Sequence, residues 1–206
     1  RHILPDYNKI AVVPYGTRED YLEIPLIPSN GENCKFLFVG QGVQRKGLHH
    51  LIKAWEASKS LNISLTLVCS VIDPGITDKI KELGIEIKQN LSGDQLKQEF
   101  AQADVFIMPS LVEGFGLVYL EALAAGCYTI GTENTGLPDL GLTKDVGEIL
   151  PTVNAVTVAQ SIESAHQKWQ SGQLNKQGIR DFVSQYSWER FQSSIVDAVD
   201  KATHTR

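Results

Sequence analysis

Short apolar runs alternate along the chain with stretches in which apolar residues recur at helical spacing. Runs of this length, rich in β-branched and large apolar residues, are typical of strands buried on both faces of a parallel sheet. They are Ile10–Val13, Phe36–Val39, Leu65–Cys69, Ile85–Ile87, Val105–Met108 and Thr129–Ile130. The helical stretches between them are Leu48–Ala57, Asp78–Leu83, Gly93–Ala101 and Leu117–Ala125. Strands and helices in this order predict an α/β fold with right-handed crossovers and a doubly wound parallel sheet.

Turn and capping residues support these boundaries. The tripeptide Asp73-Pro74-Gly75 predicts a turn that cannot continue the preceding strand. Gly84 follows a helical stretch in the position of a C-terminal glycine cap, and Ser92 precedes the next stretch as an N-cap. These residues predict where the crossover helices begin and end.

The pattern changes after Pro151, where the strand signal ends. Three helices are predicted beyond it: Val156–Trp169, Leu174–Tyr186 and Trp188–Ala202. We predict a single domain over residues 1–206, made of a strand and connector (1–31), a Rossmann-like core (32–186) and a last helix (187–206). The chain begins at Arg1 and its only methionine is Met108, so we expect it to be a segment of a longer protein.

Charge and composition argue against several kinds of partner. The net charge of −5 argues against nucleic acid, because such binding depends on clustered Lys and Arg. The sequence has no apolar run of about 20 residues, so it predicts no membrane span. Its Asp, Glu, His and Cys residues lack the spacing of metal ligands, so we expect no metal and no other cofactor. Cys34, Cys69 and Cys127 are expected to be reduced thiols in a cytoplasmic protein.

The first candidate site is the glycine-rich loop Gly40–Gly47, between a predicted strand and the helix that begins at Leu48. Loops of this kind lie beyond the carboxyl ends of the strands, where α/β sheets bind ligands. Glycine lets the backbone approach a ligand closely, and Arg45 and Lys46 add positive charge beside the N–H groups of a helix end. The loop therefore suits a diphosphate. Its sequence matches neither a GxGxxG fingerprint nor a P-loop, and a purely structural turn is the alternative.

The second candidate site is the loop Pro109–Gly116, which carries Glu113 and leads into the helix predicted from Leu117. A further carboxylate, Glu121, follows one turn into that helix among apolar residues. A carboxylate in such surroundings needs hydrogen-bond donors, and the vicinal diol of a ribose or a sugar supplies two. The alternative is structural: Glu113 would cap the helix N-terminus and Glu121 would pair with a lysine.

The residues around this second loop resemble a known family. Ala103–Ser110 followed by Glu113–Gly126, with seven residues between the two glutamates, is similar to the carboxy-terminal domain of family 4 glycosyltransferases. These are retaining enzymes of the GT-B fold. The resemblance covers nearly the whole chain and continues through Phe38–Gly40, Lys46-Gly47, Thr135–Asp139, Gly147–Leu150 and Tyr186–Glu189. It implies that the chain is the Rossmann-like, donor-binding half of a GT-B enzyme.

The resemblance also implies roles for individual residues. Glu113 would contact the hydroxyls of the donor sugar, and Glu121 would bind the ribose hydroxyls. Lys46 would neutralise the leaving phosphate as negative charge builds in the transition state. Backbone N–H groups at the start of the helix would meet the diphosphate. The remaining predicted donor contacts are Gly40, Gln41, Arg45, Ser110, Gly114, Phe115, Gly116 and Leu117.

Half of the implied enzyme is missing from the chain. In such enzymes a separate amino-terminal domain holds the acceptor, so the resemblance implies a nucleoside-diphosphate sugar as the partner here and an acceptor site elsewhere. Any membrane contact, at the inner face, would be made by the missing half. The last helix is implied to cross back onto that domain, which leaves the apolar face of Phe191, Ile195 and Val199 partly without a partner. His49 and His50 lie in a helical stretch and are expected to be surface or helix-packing histidines.

Two alternatives to a donor-binding transferase domain remain. The family usually has arginine where this chain has Gln41, so either Arg45 has taken over its phosphate contact or the donor binds less tightly. A degenerate module that binds a nucleotide sugar, or nothing, and serves interaction or regulation without transferase activity would fit the same departure. The other alternative is a different GT-B enzyme, an epimerase or a phosphorylase, although no residue is marked as the pyridoxal phosphate lysine that a phosphorylase needs.

Overall fold

A computed structural model describes residues 10–29 and 31–204. The described strands form one six-stranded sheet with the order β3-β2-β1-β4-β5-β6, and the neighbouring strands are parallel. They are β1 (Cys34–Val39), β2 (Ile63–Val68), β3 (Glu86–Lys88), β4 (Val105–Ile107), β5 (Tyr128–Thr132) and β6 (Gly147–Leu150). The predicted doubly wound parallel sheet is confirmed. Its strand order reverses between β1 and β4, the position at which such sheets bind their ligands.

Helices cover both faces of this sheet. They are α1 (Glu19–Leu22), α2 (Leu48–Ala57), α3 (Pro74–Glu82), α4 (Gly93–Gln102), α5 (Leu117–Ala124), α6 (Ala155–Gln170), α7 (Lys176–Ser184) and α8 (Trp188–His204). α2 packs against α3 and α6, and α5 packs against α1 and α7. All the helices predicted from the sequence are present, and α1 is an addition that its four residues were too few to signal.

The central strands are buried because helices lie on both sides of them. Val105, Phe106 and Ile107 of β4 are each 0% exposed, and β5 is buried along its whole length. A strand covered on both faces has no polar side, so its sequence is a continuous apolar run instead of an alternation. The three cysteines are free thiols within the same core.

Capping residues set the helix boundaries largely as predicted. Ser92 and Gln95 form a reciprocal capping box at the start of α4, and Gly84 takes a left-handed φ of 66° just after α3. The turn predicted at Asp73-Pro74-Gly75 is instead the start of α3. The Asp73 side chain accepts a hydrogen bond from the Gly75 N–H at 2.9 Å, and Pro74 suits the first helical position. α3 therefore begins four residues before the predicted Asp78.

The strand predicted at Ile10–Val13 is wrong. These residues are irregular, and Ile10 and Val12 are 53% and 64% exposed. The sheet ends at β3 on one side and β6 on the other, and this segment pairs with neither. It runs instead beside Tyr186 and Phe191, where Val12 and Val13 line a shallow cleft. An apolar run forms a strand only where a sheet edge is in reach, which the sequence pattern does not reveal.

One strand of the sheet was not predicted. β6 continues the sheet beyond β5, with Gly147 opposite Thr129 and Leu150 opposite Thr132. Its four residues include a glycine and a glutamate, and so give neither an apolar run nor a clear alternation. Within the described residues, no helix combines the length and the apolar character that crossing a membrane requires.

Candidate functional site

The first glycine-rich loop leaves β1 at the reversal point and enters α2. Residues Gln44–Lys46 form a turn of 3-10 helix, and Gly47 follows with a φ of 71°. A side chain at Gly47 would overlap the Pro109 carbonyl oxygen of the second loop. The Leu111 N–H also donates to the Arg45 carbonyl at 2.8 Å. The two loops predicted separately are therefore in backbone contact, and Gly47 allows that contact.

The second loop is fixed from its other side as well. The Glu113 N–H donates to the Asn134 carbonyl at 3.0 Å, and the Gly136 N–H donates to the Phe115 carbonyl at 2.9 Å. Both partners lie in the loop after β5. The loops that follow three neighbouring strands, β1, β4 and β5, therefore meet at one edge of the sheet. The sequence did not predict that Asn134 and Gly136 hold this loop, because backbone hydrogen bonds do not depend on the type of side chain.

Three charged side chains converge where the two loops meet. The Lys46 Nζ contacts Glu113 Oε2, and Arg45 Nη1 lies 3.3 Å from Glu113 Oε1. The Lys46 and Glu113 side chains are largely buried, whereas Arg45 is exposed. Burial and the nearby Arg45 guanidinium lower the pKa of Lys46. The contacts place one carboxylate between two basic side chains.

The N-terminus of α5 faces the same loops. It begins after Gly116, which has a left-handed φ of 84° and provides no side-chain cap. The first N–H groups of a helix have no partner within it, and they carry partial positive charge. Glu113 accepts a hydrogen bond from the Gly114 N–H at 3.2 Å, before the helix begins. Glu113 is thus paired with Lys46 in preference to capping α5.

Glu121 lies one turn into α5 with a side chain that is 16% exposed. Its Oε1 is 3.5 Å from Nη1 of Arg18, so its partner is an arginine and not the lysine of the structural alternative. Burial raises the pKa of the Glu121 carboxyl, and the Arg18 charge opposes that shift. Sequence reasoning missed Arg18, which belongs to the connector before the sheet. The contact joins positions more than one hundred residues apart, and an arginine and a glutamate that far apart in the sequence do not predict a contact.

The other predicted donor contacts lie around this centre with different exposures. Gln41 is exposed at the start of the first loop, and Gly114 is exposed in the second. Ser110 is fully buried at the start of the second loop, where its carbonyl accepts from the Thr132 hydroxyl at 2.7 Å. His49 and His50 lie in α2, with their ring centroids 3.9 Å apart. Geometry therefore brings Lys46, Arg45 and Glu113 together and leaves both histidines on the neighbouring helix.

Comparison with known proteins agrees with this architecture. The family model of the group 1 glycosyl transferases matches residues 24–180. The chain is 29% identical over 216 aligned residues to MMP α-(1→4)-mannosyltransferase of Mycolicibacterium hassiacum, covering 97% of this chain and 51% of that protein.

Solved structures share the fold. A glycosyltransferase from Rickettsia africae matches with a TM-score of 0.79 and 19% identity, covering 98% of this chain and 59% of that one. The Anabaena protein HepE, solved in complex with UDP and glucose, matches with a TM-score of 0.65 and 19% identity, over 82% of this chain and 48% of that one. The chain thus spans about half the length of these proteins. Because the family model matches most of it, including both loops and α5, the chain belongs to the group 1 glycosyl transferases.

Proposed function

We propose that this chain is the donor-binding half of a retaining glycosyltransferase, which moves a sugar from a nucleoside-diphosphate sugar to an acceptor held by the other half. One observation carries the proposal. Lys46, Arg45 and Glu113 converge from two glycine-rich loops at the uncapped N-terminus of α5, and Glu121 lies one turn further along the same helix. Cations and helix N–H groups suit a diphosphate, and the two carboxylates suit hydroxyls on either side of it. The retaining outcome rests on the family resemblance.

The pairing of Lys46 with Glu113 suggests how the site responds to its donor. Without a donor, the ammonium balances the Glu113 carboxylate. A diphosphate placed at the helix end would attract Lys46, and sugar hydroxyls would then donate to Glu113 in its stead. As the bond to the sugar breaks, charge accumulates on the leaving phosphate, and Lys46 stabilises that charge more than it stabilises the ground state. No metal is needed for this neutralisation, because Arg45 and the helix end supply positive potential beside it.

Glu121 is suited to the ribose. Its carboxylate is largely buried, yet its ion pair with Arg18 is longer than a good hydrogen bond. It therefore keeps acceptor capacity for the two hydroxyls of a ribose, which are the donors that a buried carboxylate requires. The base would lie beyond the ribose, near the carboxyl end of β3.

Calorimetric titration with UDP, GDP and ADP tests the proposal, with uridine, guanosine and adenosine as matched controls. We expect one diphosphate to bind and its nucleoside to bind at least about 10-fold more weakly, because charge-assisted hydrogen bonds to the diphosphate contribute roughly 1.5–3 kcal/mol each. Binding of none of the three diphosphates would favour the degenerate module. Equal affinity for a diphosphate and its nucleoside would contradict the assignment of the two loops.

A further inference from the structure

The connector before the sheet touches both elements of the proposed donor site. The Tyr15 ring packs edge to face on Phe115 of the second loop, with centroids 5.2 Å apart. Three residues later, the Arg18 guanidinium reaches Glu121 on α5. The connector therefore lies beside both the loop and the helix, although Tyr15 and Arg18 precede the residues 24–180 that the family model matches.

The Arg18 guanidinium is oriented by its neighbours even though the side chain is 52% exposed. Its Nε and Nη2 donate to the two carboxylate oxygens of Asp20 at 3.0 and 2.8 Å. Asp20 is in turn held by Lys97, 2.8 Å away, and the guanidinium lies 4.8 Å above the Tyr21 ring. This two-point contact with Asp20 leaves Nη1 as the atom that points to Glu121.

The arrangement has little value as a stabilising device. Exposed ion pairs contribute between about 0 and 1 kcal/mol, so the fold does not depend on Arg18. The electrostatic effect of Arg18 falls mainly on Glu121, because the Glu121 carboxylate is largely buried. The Arg18–Glu121 distance of 3.5 Å is also longer than the bonds to Asp20. Arg18 therefore balances the charge of Glu121 and leaves the Glu121 oxygens able to accept hydrogen bonds.

The groups that face Glu121 act in opposite directions. Burial raises its pKa, Arg18 lowers it, and the nearby Asp20 carboxylate raises it. Burial raises the pKa of Tyr21 to about 12, so this phenol stays neutral. A carboxyl with a raised pKa is charged only above that pKa, and the affinity that depends on its charge is lost as the pH falls through it. Removal of Arg18 would move this loss to higher pH.

We propose that Arg18 is a positioning residue of the donor site, which holds the Glu121 carboxylate in its charged, ribose-binding arrangement without itself contacting the ribose. The inference rests on the proposed function, since it concerns the ribose of the same nucleoside diphosphate. The family motifs and the connector then have different roles. The motifs contain Glu121, and Arg18 of the connector keeps the Glu121 carboxylate charged and in position for the ribose.

The test compares each ribonucleoside diphosphate with its 2′-deoxy analogue. Dissociation constants of UDP, GDP and ADP and of the corresponding deoxynucleotides are measured between pH 5.5 and 8 for the unchanged chain, Arg18→Ala and Arg18→Lys. The diphosphate also titrates in this range, but it does so equally in both members of a pair, so the ratio of the two constants reports on the ribose contact alone. Lys81→Ala, which removes one exposed positive charge from α3, is the matched control.

We expect Arg18→Ala to reduce the preference for ribose roughly 3- to 10-fold near pH 6 and less near pH 8, because protonation of Glu121 weakens its bond to the hydroxyls. Arg18→Lys should restore part of the preference, and Lys81→Ala should leave it unchanged. In a Glu121→Gln background, Arg18→Ala should have no further effect on the ratio. An equal loss for ribo and deoxy forms at every pH, or no loss, would overturn the inference while leaving the proposed function intact. Failure of the unchanged chain to bind any diphosphate would overturn both.

Discussion

α5 and α8 differ in what surrounds them. α5 has eight residues, and five of them, Tyr119, Leu120, Ala122, Leu123 and Ala124, are buried. α8 has seventeen residues, yet Ile195, Val196 and Val199 are 42%, 57% and 55% exposed. Helices in proteins are stabilised mainly by packing of their apolar face. The shorter helix is thus held by the core and can support a precise binding edge, whereas the longer one has an apolar face with less to pack against.

The first turn of α8 is the part that is anchored. Trp188 and Phe191 pack with Tyr15, with ring centroids 6.0 and 5.2 Å from it. Tyr15 also contacts Phe115, so one aromatic cluster joins the start of α8 to the second loop. We expect the exposed remainder of α8 to pack on the acceptor-binding half, so that donor binding and closure of the cleft move together.

The largest effect expected from the difference between α5 and α8 concerns the transfer of the sugar. We predict that the chain of residues 1–206 binds its donor but transfers no sugar, because transfer requires donor and acceptor in contact with water excluded. A radiolabelled donor and a panel of sugar acceptors check this. Slow hydrolysis of the donor is compatible with the account, and sugar transfer to an acceptor at a measurable rate is not.

Matched truncations sharpen the comparison of the two helices. Leu120→Ala in α5 should lower the free energy of unfolding by about 2–5 kcal/mol, because it empties a fully packed position. Ile195→Ala in α8 should change it by less than about 1 kcal/mol, because the side chain is already partly in water. Urea titration of both variants provides the measurement. Equal losses would mean that α8 is packed in solution, for example in a dimer.

Hydrogen exchange compares the same helices without mutation. Amides of Val118–Leu123 should exchange at least about 10-fold more slowly than those of Phe191–Val199, since local opening requires less free energy where few apolar contacts are broken. Protection of Phe191–Val199 equal to that of α5 in a monomeric sample would show that α8 needs no partner.

A smaller effect is expected at the exposed start of the first loop. Gln41→Arg should tighten binding of the preferred nucleoside diphosphate roughly 3- to 10-fold, because it adds a charged donor beside the phosphates. Gln44→Arg, an equal charge change at an exposed position of the same loop, is the control. If both variants gain equally, the effect is one of general charge and position 41 has no special contact.

The sequence predicted most of the fold because burial leaves a pattern. β4 and β5 were visible as apolar runs, and the predicted bounds of α2 match those observed. Prediction failed where structure depends on a partner far along the chain. The apolar run at Ile10–Val13 predicted a strand, but these residues pair with no strand of the sheet. In contrast, β6 has no clear strand pattern in its four residues and forms because β5 lies beside it.

The candidate site follows the same rule. Both loops could be assigned to one edge, since the carboxyl ends of parallel strands share it, and Lys46 does meet Glu113 there. Arg18 could not be found, because its contact with Glu121 joins the connector to α5 through tertiary packing. The catalytic and donor-binding roles of all the predicted site residues, including Lys46, Glu113 and Glu121, stay predictions.

The most direct measurement of the central claim is the effect of Glu121→Ala on affinity for the preferred nucleoside diphosphate. Glu163→Ala, which removes an exposed carboxylate from α6, serves as the matched control. A bond between a charged acceptor and a diol is worth about 1.5–3 kcal/mol, so Glu121→Ala should weaken binding roughly 10- to 100-fold without unfolding the chain. Affinity equal to that of Glu163→Ala, by calorimetry on folded protein, would return Glu121 to a structural role and contradict the account.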